Sequence, residues 1–80
     1  MKLVEVEWLD YCSMAGSTWN SMEDVKRLAI IHMESVGYVI SDTKDELVLA
    51  SHISKDLENC SGDMCIMKKA ITKMKVLRKK

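Results

Sequence analysis

Apolar and polar positions alternate from the first residues of the chain. Val4, Val6 and Trp8 fall on one side, Glu5 and Glu7 on the other. That two-residue period predicts a half-buried strand ending at Asp10. Residues 11–19, Tyr-Cys-Ser-Met-Ala-Gly-Ser-Thr-Trp, have no period and read as a loop. Ser21 then supplies a helix cap, with Glu23 and Asp24 favourably placed in the first turn. Met22, Val25 and Leu28 give one or two helical turns an apolar face. From about Ile30 β-branched residues cluster and Gly37 opposes a helix, so the chain is expected to turn to strand.

The middle of the chain carries the clearest pattern. Ser35-Val36-Gly37-Tyr38-Val39-Ile40 and Leu47-Val48-Leu49-Ala50-Ser51 flank a charged segment, 41–46, and predict an antiparallel hairpin. Gly37 within the first arm marks a bend, a bulge or a close backbone approach. Residues 53–63 are polar and uneven, with Ser61-Gly62-Asp63 expected to turn. The final segment fits two templates. Ile66, Ala70, Ile71, Met74 and Leu77 share one helical face. Alternatively, Cys65-Ile66-Met67 is a strand, residues 68–71 a tight turn, and Thr72, Met74 and Val76 one face of a last strand alternating with Lys73 and Lys75.

The second template completes an economical layout: strand, helical turn, long bent hairpin, short strand, turn, short strand. The expected fold is mainly β, a single domain over residues 1–80. It would be a small five-stranded SH3-type or Sm-like barrel with one short helix in its N-terminal half. The alternative is α+β with a C-terminal helix.

Eighty residues lie near the lower limit for a self-sufficient core, so a homo-oligomer is expected. No apolar run approaches the roughly 20 residues of a membrane-spanning helix. The acidic, alternating N-terminus is unlike a signal peptide. Three cysteines, Cys12, Cys60 and Cys65, make an odd set that fits reduced thiols in a cytoplasm. With no phenylalanine in the chain, the seven methionines are expected mainly to fill the core.

Charge is balanced overall and segregated along the chain. Residues 67–80 hold Lys68, Lys69, Lys73, Lys75, Arg78, Lys79 and Lys80 with no acid, a charge of +7. The other 66 residues set twelve acids against five bases, a charge of −7. Such asymmetry points to an anionic partner or to basic-against-acidic contact between subunits.

Several of these segments together resemble a group of small, functionally uncharacterised bacteriophage proteins, over nearly the whole chain. The shared features are Val6-Glu7-Trp8-Leu9-Asp10, Trp19, Ser35-Val36-Gly37-Tyr38, Leu47-Val48-Leu49-Ala50-Ser51 and Ile66-Met67-Lys68-Lys69-Ala70-Ile71. Met67 stands where that pattern has proline, so the stiff entry into the last turn is absent. The resemblance implies phage origin, action in the host cytoplasm and a small barrel; it carries over no particular activity.

No motif here specifies catalysis or a cofactor. Cys60 and Cys65 are separated by four residues rather than the two of a zinc knuckle, and no second pair exists to complete a metal site with Cys12, His32 or His52. Cys12 with His52 lacks an evident orienting acid. The expected function is therefore non-enzymatic: binding of RNA, a small nucleotide or a host protein, in counter-defence or host takeover. A virion structural role or a pure protein-interaction module is the alternative. Lys68, Lys69, Lys73 and Lys75 are the candidate phosphate contacts, and Tyr11, Trp19 and Tyr38 the candidate stacking groups. The competing role for the lysines is protection of an exposed sheet edge.

Overall fold

The computed structural model describes residues 1–10 and 19–79. In chain order the elements are β1 (Leu3–Asp10), α1 (Met22–Val25), β2 (Ile31–Asp42), β3 (Glu46–Ile53), β4 (Cys60–Met67), a 3-10 turn (Lys68–Ala70) and β5 (Ile71–Arg78). All five strands join one antiparallel sheet in the order β4-β3-β2-β1-β5. The fold is mainly β, and the final segment is strand, not helix. The sheet is not closed: β4 and β5 are its two edges.

Register follows the period-two pattern. Val4 pairs with Gly37 and Val76, Val6 with Ser35 and Met74, and Trp8 with Met33 and Ile71, so these residues share one face. On the same side Leu47 and Leu49 of β3 sit opposite Ile66 and Met64 of β4. Val4, Val6, Leu47, Leu49 and Ile66 form the buried cluster, with Trp8, Val39 and Ile71 packed against it. The Trp8 indole nitrogen donates to Ser35 Oγ at 3.0 Å.

Gly37 is the close backbone approach anticipated from its place in a strand. A Cβ there would lie 3.0 Å from Leu49 Cβ and 3.2 Å from the Ala50 carbonyl oxygen. The hairpin's irregularity falls elsewhere, where the β2–β3 register shifts between Val39 and Ser41. The hairpin turn is locked by Thr43: its amide donates to the Glu46 carbonyl at 2.9 Å, and its hydroxyl accepts from the Glu46 amide at 3.1 Å.

Two expectations need correcting. Ser61-Gly62-Asp63 is not a turn; it lies inside β4, where Gly62 takes φ +65° opposite Ser51 and its missing Cβ leaves room for that side chain. The chain reverses earlier, at residues 54–59. There Leu57 adopts φ 63°, and Asp56 accepts from the Ser54 hydroxyl and the Glu58 amide. Those bonds, Ser54's foremost, hold the Asp56 carboxyl below its ordinary 3.8.

Secondly, no methionine among the described residues belongs to the buried core: Met1, Met22, Met64, Met67 and Met74 are exposed, the last three on the edge strands β4 and β5. The short helix starts as expected, with Ser21 Oγ accepting from the Asp24 amide at 3.2 Å, but it buries none of its residues.

Candidate functional site

Two turns distant in sequence meet at one end of the sheet. Glu46 of β3 pairs with Met67 of β4, which brings the β2–β3 turn beside the 3-10 turn that leads into β5. The Lys68 amide donates to the Asp45 carbonyl at 2.8 Å, and Lys68 Nζ lies 2.5 Å from Asp42 Oδ1. Between these turns opens a cleft of about 620 Å³, lined by Lys44, Asp45, Glu46, Cys65, Met67, Lys68 and Lys69. That volume suits a small organic ligand.

The lining mixes charges. Lys44, Lys68 and Lys69 face Asp45 and Glu46, and Met67 adds an apolar wall. Cys65 Sγ donates to Glu46 Oε2 at 3.2 Å. Chiefly through that bond, aided by slight desolvation and the carboxylate's charge, the thiol is held above its ordinary value of 9.0. Cys65 is thus kept protonated, the opposite of what a nucleophilic thiol requires.

The structure separates the predicted lysines. Lys68 and Lys69 line the cleft. Lys73 and Lys75 lie farther along β5, directly opposite Glu7 and Glu5 of β1. Cross-strand neighbours of opposite charge attract, so these two positions suit the register of β1 and β5 and stand away from the cleft. Lys44 was missed in the sequence because it stands alone among acids; only the meeting of the two turns gives it lysine neighbours.

The candidate aromatics do not converge. Tyr38 is half-buried on β2, where Arg78 donates to its hydroxyl at 3.2 Å and the guanidinium carbon sits 5.7 Å from the ring centroid. Its ring is therefore already engaged by a cation from β5. Trp19 is fully exposed. Tyr11 lies outside the described residues, as does Cys12.

Cys60 and Cys65 stand five positions apart on one extended strand, about 16 Å along it, which is too far for a disulfide. Among the described residues no group of three or more His, Cys, Asp or Glu side chains is placed to hold a metal ion. Nor, among them, is any helix long and apolar enough to cross a membrane. No family model, curated protein or solved structure matches the chain.

Proposed function

We propose that this protein is a non-enzymatic binding module of the small-barrel type that takes a nucleotide, free or at an RNA end, in the cleft between its two turns. The observation that carries this reading is the convergence of Lys44, Lys68 and Lys69 from segments 24 residues apart around one ligand-sized cavity. Phosphate attracts lysine as a point charge, and the Lys68–Asp42 pair fixes one of the three in place. A bare polyanion would be repelled by Asp45 and Glu46. A nucleotide would not, because its hydroxyl and amino groups can donate to those carboxylates while its phosphate meets the lysines. Met67 offers the apolar surface on which a base can rest.

On this reading the protein acts by sequestering its ligand, consistent with the phage accessory role that the sequence resemblance implies in the host cytoplasm. The test is calorimetric titration of the full chain with mononucleotides and short RNA at low salt. Wild type should bind. Lys44→Gln with Lys69→Gln should weaken binding by about tenfold or more, as two phosphate contacts are lost, while strand content stays unchanged. Lys73→Gln with Lys75→Gln should leave affinity nearly intact. If wild type binds none of these ligands at low salt, the reading is wrong; if the β5 pair matters more than the cleft pair, the site is misplaced.

A further inference from the structure

A second hollow adjoins the cleft. It has a volume of about 230 Å³ and lies between the end of β1, at Trp8, and the end of β4, at Cys65, Ile66 and Met67, with Ala70 beside them. Cys65 and Met67 also line the cleft, and Ala70 follows Lys68 and Lys69 in one 3-10 turn. A single short segment therefore borders both spaces. β1 and β4 are not neighbours in the sheet, yet Ile66 shares the buried cluster with Val4 and Val6. The hollow is the gap left where the curling sheet stops short of closure.

On its β4 side the hollow meets backbone as well as side chains. The Lys68 amide donates to the Asp45 carbonyl, and the β3–β4 register repeats that relation at Ile66 opposite Leu47 and at Met64 opposite Leu49. In an antiparallel ladder such residues turn both backbone polar groups toward the partner strand, and the residues between them turn theirs away. Cys65 and Met67 are the residues between. Because β4 is a free edge, the Cys65 carbonyl and the Met67 amide point off the sheet, an acceptor beside a donor, along the edge that borders the hollow.

The β1 side is aromatic. The Trp8 indole nitrogen is held by Ser35 Oγ, so the ring is positioned before any ligand arrives. Asp10 is the one charged group lining the hollow among the described residues, and it disfavours a phosphate there. The lysines stand on the cleft side. At about 230 Å³ the hollow is smaller than a site for a whole organic ligand and suits one ring system of a larger one.

We propose that the base of the bound nucleotide passes Met67 into this hollow, where the free edge of β4 reads its Watson–Crick side; the proposal rests on the nucleotide reading and deepens it. Every nucleobase carries a donor beside an acceptor on that side, which matches the Cys65 carbonyl and the Met67 amide. Trp8 supplies an aromatic wall for the base, while the phosphate stays with Lys44, Lys68 and Lys69. Met67 is exposed and its thioether adapts, so it can yield to the passing ring. A base already paired in a duplex has this side occupied. The site is accordingly selective for unpaired nucleotides.

The test is calorimetric titration of the full chain at low salt with UMP, GMP, their forms methylated at uracil N3 and guanine N1, and ribose 5-phosphate. The methyl groups remove the Watson–Crick donor without adding charge. UMP or GMP should bind, and its methylated form and ribose 5-phosphate should each bind about tenfold more weakly or worse. In a Trp19→Phe chain, whose remaining indole is Trp8, the nucleotide should shift the emission and ribose 5-phosphate should not. Ala70→Leu narrows the hollow and should weaken nucleotide binding about tenfold while leaving ribose 5-phosphate unaffected. Nucleotide and ribose 5-phosphate binding equally would put the base outside the hollow, overturning this proposal while the phosphate site in the cleft stands. Equal affinity for methylated and unmethylated bases, or an unchanged Trp8 emission, overturns it as well; both measurements leave Ala70 untouched. If no nucleotide binds, the nucleotide reading itself fails and this proposal falls with it.

Discussion

Trp8 and Ser35, 27 residues apart, are joined by a hydrogen bond from the indole nitrogen to the serine oxygen at 3.0 Å. They sit diagonally across β1 and β2, since Trp8 faces Met33 and Val6 faces Ser35. The bond satisfies the polar atom of a large side chain that packs at the margin of the core. Ser35→Ala should therefore cost about 1 kcal/mol in urea unfolding, the upper part of the range being reserved for fully buried donors. Equal stability of mutant and wild type would mean that water serves the indole just as well.

Gly37 is required by space rather than by dihedral angle. Gly37→Val places new carbon atoms against Leu49 and the Ala50 carbonyl, so β2 and β3 must move apart. The expected loss is about 1–3 kcal/mol, seen as a lower melting temperature. An unchanged midpoint would show that the hairpin relaxes freely there.

Lys73 lies at the end of a row across three strands, Glu34–Glu7–Lys73. Two carboxylates face each other directly, and the lysine offsets their repulsion. Lys73→Gln should destabilise the sheet by about 0.5 kcal/mol, a modest figure because the row is exposed. The difference should shrink as salt is raised. A difference of the same size at every ionic strength would point to packing by the lysine stem instead.

Cys65 provides a pH-dependent readout of the cleft. Glu46 stabilises the protonated thiol, so this contribution is present below the ordinary value of 9.0 and disappears as pH rises through the elevated one. Glu46→Gln removes the carboxylate and should bring the thiol back toward its ordinary range. Alkylation of Cys65 near pH 8, followed at peptide level by mass spectrometry, should then run faster than in wild type. Slower or equal labelling would show that the thiol and carboxylate do not meet in solution.

The strands were legible wherever one face is buried and the other wet, because burial then imposes a two-residue period. That holds for Val4-Glu5-Val6-Glu7; Thr72-Lys73-Met74-Lys75-Val76 keeps the same alternation, with Met74 and Val76 on the core side though exposed, and it favoured a strand over the competing helix. The β3–β4 reversal was not legible. Gly62 invites a turn yet serves a strand, and Leu57, a residue that rarely adopts positive φ, makes the turn. The openness of the sheet was hidden too, since strand count and order are the same for a closed barrel and an open one. Of the cleft, Lys68 and Lys69 were visible as part of a basic run. What the sequence could not show is that the run divides, two lysines lining the cleft and two standing opposite Glu5 and Glu7 of β1.

The two unpaired edges also bear on how this molecule exchanges its amide hydrogens. Along an antiparallel edge strand, alternate residues direct both backbone polar groups toward the neighbouring strand, and those between direct them outward. On β5 the inward set is tied to β1, whereas the outward set meets whatever lies beyond the edge. In water, deuterium uptake along β5 and β4 should therefore rise and fall with a two-residue beat, whereas residues 3–8 of β1 and 47–50 of β3, paired on both sides, should exchange slowly at both sets of positions.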